Sequence, residues 1–267
     1  MKKVITLLIS LAISGIAYCT DVSGNITVNT TWDPAGSPYV VTGNVTVNSG
    51  ITLTIDPGVE VKFDISRSMF AYGTINATSA TLTSNEGSPA PGDWNLLEFY
   101  SGSVSTFSNC IIEYGDYIDV NPGATLTVNN TSSIENMINY GIYSGGTLNL
   151  TNTTIDLAGY VSYGYGIYTF GASSVTNLNN VNIFNCNHGV YIYSGGSQVN
   201  FTDCTLSSNN WPVYFRYLGD ITIAGTNDFT GNTRDAFYIY PGSLGKNWTL
   251  PYVNVPYFFS TNFSVNN

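Results

Sequence analysis

The side chains of this sequence best equipped for chemistry are a few carboxylates and a long series of aromatic rings. Glu98 and Asp119 lie 21 residues apart, with Glu113 and Asp116 expected nearby in the intervening turn. A facing pair of carboxyl groups is what acid/base glycoside hydrolysis requires, which makes Glu98 and Asp119 the catalytic candidates. Clustered oxygen ligands suit Ca²⁺, for which Glu98, Glu113, Asp116 and Asp119 are the candidate ligands. Against both stands the plainer reading of a solvated acidic end. Neighbouring carboxylates repel unless a proton or cation is shared, and no basic residue stands beside these in the sequence. The aromatic series is longer. Tyr143, Tyr168, Tyr191, Tyr214 and Tyr238 recur in matched contexts, and two residues beyond the middle three stand Phe170, Tyr193 and Arg216, with Tyr240 following Tyr238. Rings of this kind cover the apolar faces of sugars at low entropic cost, so these residues form a candidate glycan-binding face. The competing expectations are same-face packing within a sheet or cover by another module. His188 is the single histidine; with no second one to share a metal, a structural role is expected for it.

What must position these groups is a repeat. Gly141-Ile142-Tyr143 returns as Gly166-Ile167-Tyr168, Gly189-Val190-Tyr191, Pro212-Val213-Tyr214 and Ala236-Phe237-Tyr238, the apolar members stepping by 25, 23, 23 and 24 residues. Ile118 and Leu97 extend the series upstream by 24 and 21. Within a period, short alternating stretches such as Val190-Tyr191-Ile192-Tyr193 and Gln198-Val199-Asn200-Phe201 are separated by Gly, Ser and Asn turns. Alternation marks half-buried strands, and a period near two dozen residues with three short strands is one coil of a parallel β-helix. The alternation turns Ile142, Ile167, Val190, Val213 and Phe237 inward and the tyrosines that follow them outward. By the same register Glu98 and Asp119 begin the outward column. Asn152, Asn180 and Asp203, each three residues before an apolar strand residue, are expected to form a polar ladder at a turn.

Composition agrees and excludes. Charged residues make up 9%, hydrophobic residues 43% and aromatic residues 14% of the 267, too apolar for disorder and too poor in long-chain helix formers for a helical fold. A net charge of -10 with 7 Lys+Arg disfavours nucleic acid, whose binding rests on basic contacts to phosphate. Lys2 and Lys3 before the apolar run Val4 to Ile16, with Gly15-Ile16-Ala17 as a small-residue cleavage site, read as an export signal. The run is short for a transmembrane span, and none follows in the mature chain. Tyr18 stands where a lipoprotein has a small residue before its cysteine, so lipidation of Cys19 is not expected. Cys110, Cys186 and Cys204 are an odd number in distant coils and are expected to be buried thiols.

Two stretches carry a resemblance. Val45 to Phe63, through Ser49-Gly50-Ile51-Thr52-Leu53-Thr54-Ile55-Asp56-Pro57-Gly58, and Gly92-Asp93-Trp94-Asn95-Leu96-Leu97-Glu98-Phe99 resemble the opening coils of bacterial secreted right-handed β-helix, pectin-lyase-like proteins. With the repeats, the resemblance covers most of residues 25–245. It implies an all-β, right-handed, single-stranded parallel β-helix with coils of about 21–25 residues, and it says little of activity, because this architecture hosts lyases, hydrolases, esterases, adhesins and scaffolds. The catalytic patterns of its enzymes are missing: Asn187-His188-Gly189 is a remote match to Gly-His-Gly, there is no Asp-Asp pair and no Arg-x-Lys, and Asp203-Cys204-Thr205-Leu206 lacks the partners of an esterase motif. The resulting expectation is a signal peptide over 1–19, a β-helix over 20–247, and over 248–267 either the truncated start of a second module or a C-terminal cap. The last alternative rests on Trp248 and Pro256 to Asn266, which repeat Trp32 and Pro38 to Asn48. The expected role is that of a secreted or cell-surface module, structural, adhesive or glycan-contacting. Its expected partners are extracellular polysaccharide or other surface modules, with no cofactor required. The alternative is a polysaccharide-active lyase or glycoside hydrolase. Oligomeric state is left open.

Overall fold

A computed structural model describes residues 19–158, 163–240, 243–244, 249–260 and 264–265. The expected export signal lies outside these residues save for Cys19, as do Trp248 and, in the tail, residues 261–263 and 266–267. Among the described residues every strand pairing is parallel, and helix is confined to one turn, Pro34–Gly36. Thr, Val, Ile and aromatic residues at alternate positions give short strands, each too short to stand alone. Stacking supplies the partners, and the result is the expected parallel β-solenoid.

Three ribbons of strands run along it. The first is a nine-stranded sheet from Thr30–Trp32 through Thr125–Asn129 to Asp220–Ala224. The second contains Trp94–Phe99, Gly115–Val120, Tyr140–Ser144, Tyr165–Thr169, His188–Ile192, Trp211–Phe215, Phe237–Ile239 and Tyr257–Phe259. The third is made of short strands such as Ile111–Glu113, Ser133–Glu135, Thr154–Asp156, Asn182–Phe184 and Thr205–Ser207. Register in the second ribbon aligns Leu97, Ile118, Ile142, Ile167, Val190, Val213 and Phe237 in one file. All seven are fully buried, each worth about 1.5–3 kcal/mol of transfer free energy. The strand Tyr257–Phe259 adds a further rung beside Phe237–Ile239.

The corners are single residues in the left-handed region, where Asn and Asp are the least strained of the L-residues. Asn152, Asn180 and Asp203 have φ of 50°, 51° and 53°. The Asn180 amide donates to Asn152 Oδ1 at 2.7 Å, and Asp203 Oδ1 accepts from the Thr226 backbone N–H at 2.7 Å, which is the ladder the sequence predicts. A second corner joins the third ribbon to the second at Tyr114, Asn136, Asn185 and Ser208. Cys110, Cys186 and Cys204 are buried and free, as expected, and Cys19 is exposed.

The repeated glycine before the apolar residue has a steric cause. A Cβ on Gly166 would lie 2.5 Å from Ile183 Cγ2 and 2.6 Å from the Gly189 carbonyl oxygen, and one on Gly141 would lie 2.5 Å from the Gly166 carbonyl oxygen. Close approach of one coil to the next therefore selects glycine. Gly166→Ala is expected to destabilise the chain by about 1–3 kcal/mol in urea unfolding. Gly87→Ala, where a Cβ meets nothing within 4 Å, is expected to leave the midpoint within error.

Candidate functional site

The outward file of the second ribbon reads Phe70, Glu98, Asp119, Tyr143, Tyr168, Tyr191, Tyr214, Tyr238 and Phe258 in direct register. From Tyr143 onward the rings stack. Successive centroids are 4.9, 5.0, 4.8, 4.5 and 5.5 Å apart, with planes within 28° of parallel. The strand repeat of about 4.8 Å suits stacked rings. One consequence bears on recognition: each ring covers its neighbour's face, so the file turns ring edges and hydroxyls outward.

The second expected file flanks the first. Phe170 stacks on Tyr143 at 4.3 Å, and Tyr193 lies 5.6 Å from Tyr168, each reaching back to the preceding coil. The Arg216 guanidinium sits over the Tyr240 ring at 3.8 Å, a cation–π contact. Tyr193, Tyr217 and Tyr240 are 43%, 52% and 39% exposed, so this fringe leaves aromatic surface uncovered along the wall, as do Tyr163 and the terminal ring Phe258.

A third file escaped the sequence reading. Tyr140, Tyr165, His188 and Trp211 are in register, and Tyr117 packs edge-on to Tyr140 at 5.3 Å. Tyr165 stacks on Tyr191 at 4.8 Å, and His188 turns edge-on to Tyr214 at 4.7 Å and Tyr165 at 4.8 Å. The signal was present in Tyr140-Gly141-Ile142-Tyr143 and Tyr165-Gly166-Ile167-Tyr168, whose first tyrosine belongs to the repeat. Burial lowers the His188 pKa to about 4, so the imidazole is neutral inside the wall. Burial first, then neighbouring phenols, push Tyr140 and Tyr191 up to about 12. The cations beside the wall are Arg216, over Tyr240, and Arg234, whose guanidinium lies 5.1 Å from the Trp211 ring centroid.

The carboxylates divide. Glu98 and Asp119 are neighbours in register. Glu98 Oε1 accepts from the Asn121 amide at 2.9 Å, whereas Asp119 Oδ1 is buried without a hydrogen-bond partner. Burial, and secondly the charge of Glu98, raise the Asp119 pKa to about 7. Glu113 and Asp116 lie on separate strands on either side of the Tyr114 corner, not in a turn. Glu113 stands in register with Glu135 and accepts from the Thr83 hydroxyl at 3.0 Å; Asp116 accepts from the Asn139 amide at 2.5 Å. Three of the four candidate Ca²⁺ ligands, Glu98, Glu113 and Asp116, are thus drawn to different partners. Among the described residues no group of three or more His, Cys, Asp or Glu is placed to hold a metal ion.

The fold and this face define the chain as a parallel β-solenoid that displays a continuous aromatic wall. Comparison with protein-family models, with curated proteins and with solved structures gave no match.

Asp119 yields a pH-dependence with a definite sign. Its folded-state pKa of about 7 exceeds the usual carboxylate value, so the group costs nothing below about pH 4 and destabilises the fold increasingly as pH rises to about 7. Asp119→Asn is expected to stabilise the chain at pH 8 by about 1–2 kcal/mol, solvent screening included, and to change little at pH 4. Thermal unfolding at the two pH values measures both.

Proposed function

We propose that this chain is an exported cell-surface module of the right-handed, pectin-lyase-like kind, whose aromatic wall contacts extracellular polysaccharide without turning it over and without a cofactor. The observation that carries the proposal is the wall itself: an uncharged file of rings from Tyr143 to Phe258, bordered by the exposed Tyr193, Tyr217 and Tyr240. A neutral, hydroxyl-rich polymer suits it. The fringe rings offer faces to sugars, and the file offers a row of phenol hydroxyls that both donate and accept. Arg216, held over Tyr240, adds one cationic donor at the border. Export is supported by Lys2, Lys3 and the apolar run that follows. Separate roles follow for the two kinds of ring. The file stiffens the sheet through same-face packing, and the fringe makes the contact.

Replacing Tyr193, Tyr217 and Tyr240 together by Ser is expected to weaken retention on soluble neutral polysaccharides in affinity electrophoresis about tenfold or more, at 0.5–1.5 kcal/mol per ring, with the unfolding midpoint little changed. Unaltered retention would overturn the proposal. In contrast, Tyr191→Ala in the centre of the file is expected to lower stability.

One observation favours a second reading, hydrolysis. Asp119 is able to hold a proton near neutral pH beside the Glu98 carboxylate, the division of roles between acid and base that glycoside cleavage uses. In that case Asp119 protonates the leaving oxygen, and both Asp119→Asn and Glu98→Gln abolish release of reducing ends from a polysaccharide that the unaltered chain degrades.

A further inference from the structure

The nine-stranded sheet presents a face of a different character. Its central outward file is Thr31, Thr54, Asn76, Thr106, Thr127, Asn149, Asn177, Asn200 and Thr222, in unbroken register over nine rungs. A parallel file two residues earlier includes Thr52, Thr74, Val104, Thr125, Thr147 and Val175. The valines keep the shape of threonine without its hydroxyl. These side chains are all partly or fully exposed. Among the described strands of this sheet Asp220 is the one charged residue facing outward, and no aromatic ring does so. In the later rungs the amides hold one another, Asn177 donating to Asn149 at 2.8 Å and Asn200 to Asn177 at 2.7 Å. In the earlier rungs the hydroxyls of Thr54, Thr106, Thr125, Thr127 and Thr147 have no partner among the described residues.

We propose that this threonine face binds the surface of ice. A face whose one charge is Asp220, on the last rung, has no cationic purchase on nucleic acid or acidic polymer, and one without rings lacks the platform on which sugars stack. What it does possess is a repeat. Rungs recur at about 4.8 Å along the solenoid. In a tetrahedral water lattice, hydrogen bonds of about 2.8 Å place next-neighbour oxygens about 4.5 Å apart. Hydroxyls along a file can therefore occupy or anchor successive lattice positions. Between files the fit is looser, about 6.6 Å between alternate residues of a strand, so each file acts as a row. The threonine methyls hold the rows flat, and the hydroxyls accept and donate as water does. Fixed in advance by the stacked backbone, the array binds with little side-chain ordering to oppose it.

The test uses the full chain and single ice crystals in dilute buffer held just below melting, with the gap between melting and growth temperatures recorded. The expected result is faceted crystals and a measurable gap. Thr127→Tyr, which puts a ring into the middle of the array, should reduce the gap several-fold, and Thr127→Val, which keeps the shape and deletes a hydroxyl, should reduce it less. Circular dichroism melting confirms that both variants are folded. Rounded crystals growing as in buffer with the unaltered chain would overturn the proposal. So would a gap that is indifferent to Thr127→Tyr but lost on replacing Tyr193, Tyr217 and Tyr240, since the active face would then be the aromatic one. Retention on crystalline chitin or cellulose, abolished by Thr127→Tyr in a chain that leaves ice unshaped, would assign the face to a solid polysaccharide instead.

Discussion

The structure depends on one constraint: every coil hydrogen-bonds its backbone to the coils above and below in register. At a strand repeat of about 4.8 Å this brings equivalent side chains of successive coils together whether or not they suit one another. A residue type that tolerates its own company is selected at each position, and one that does not is excluded. Ile, Leu, Val and Phe satisfy this inside. Tyr satisfies it by stacking faces, and Asn by passing an amide hydrogen bond from coil to coil. Carboxylates satisfy it only near solvent. Glu113, Glu135 and Asp156 stand in one register file, but where Asp119 is buried beside Glu98, burial first and then the Glu98 charge drive it toward its protonated form, since both disfavour the charged carboxylate. The low charge content of the sequence, 9%, is a consequence of the architecture before it is a sign of function.

Much of this was legible in the sequence because the constraint writes itself as periodicity. The steps between Leu97, Ile118, Ile142, Ile167, Val190, Val213 and Phe237 gave the inward file correctly, and the tyrosines next to the last five gave the outward one. The direction of a Cβ follows from the pleat, but the plane of a ring does not. Face-to-face stacking of Tyr168, Tyr191 and Tyr214 is a side-chain torsion chosen by neighbours in other coils, so an aromatic column looked like an open platform. The third file was missed because alternation fails locally. Gly141 and Ile142 are both buried while Tyr140 and Tyr143 both face outward, and the same holds for Tyr165 to Tyr168, so a period-two reading assigns the first tyrosine to the wrong side.

The corner at Tyr114 and the threonine face were hidden for related reasons. A single left-handed residue, Tyr114 at φ 66°, redirects the chain from one strand directly into the next. Because Gly115 beside it is a turn-forming residue, Glu113 and Asp116 read as turn residues although both are in strands. On the nine-stranded sheet, the chain excursions between Asn76 and Thr106 and between Asn149 and Asn177 spoil the regular step, although register in space is unbroken. Spatial periodicity survives insertions that sequence periodicity does not, since a loop leaving a corner costs only a slowly growing closure entropy.

The two long faces then differ in what they leave unsatisfied, and this bears more on function than residue type does. On the aromatic side the central file is saturated, each ring having used its faces on the next. Capacity for further contact is therefore displaced to the edges, toward Tyr193, Tyr217 and Tyr240. On the threonine side the amides of the later rungs are likewise tied together, but the hydroxyls of Thr54, Thr106, Thr125, Thr127 and Thr147 make no such bond among the described residues. Held at the strand spacing of about 4.8 Å, these threonines do not satisfy each other as the asparagines and tyrosines do. The same stacking rule that closes the aromatic and amide ladders on themselves leaves the threonine rows with donors and acceptors pointed at whatever lies outside.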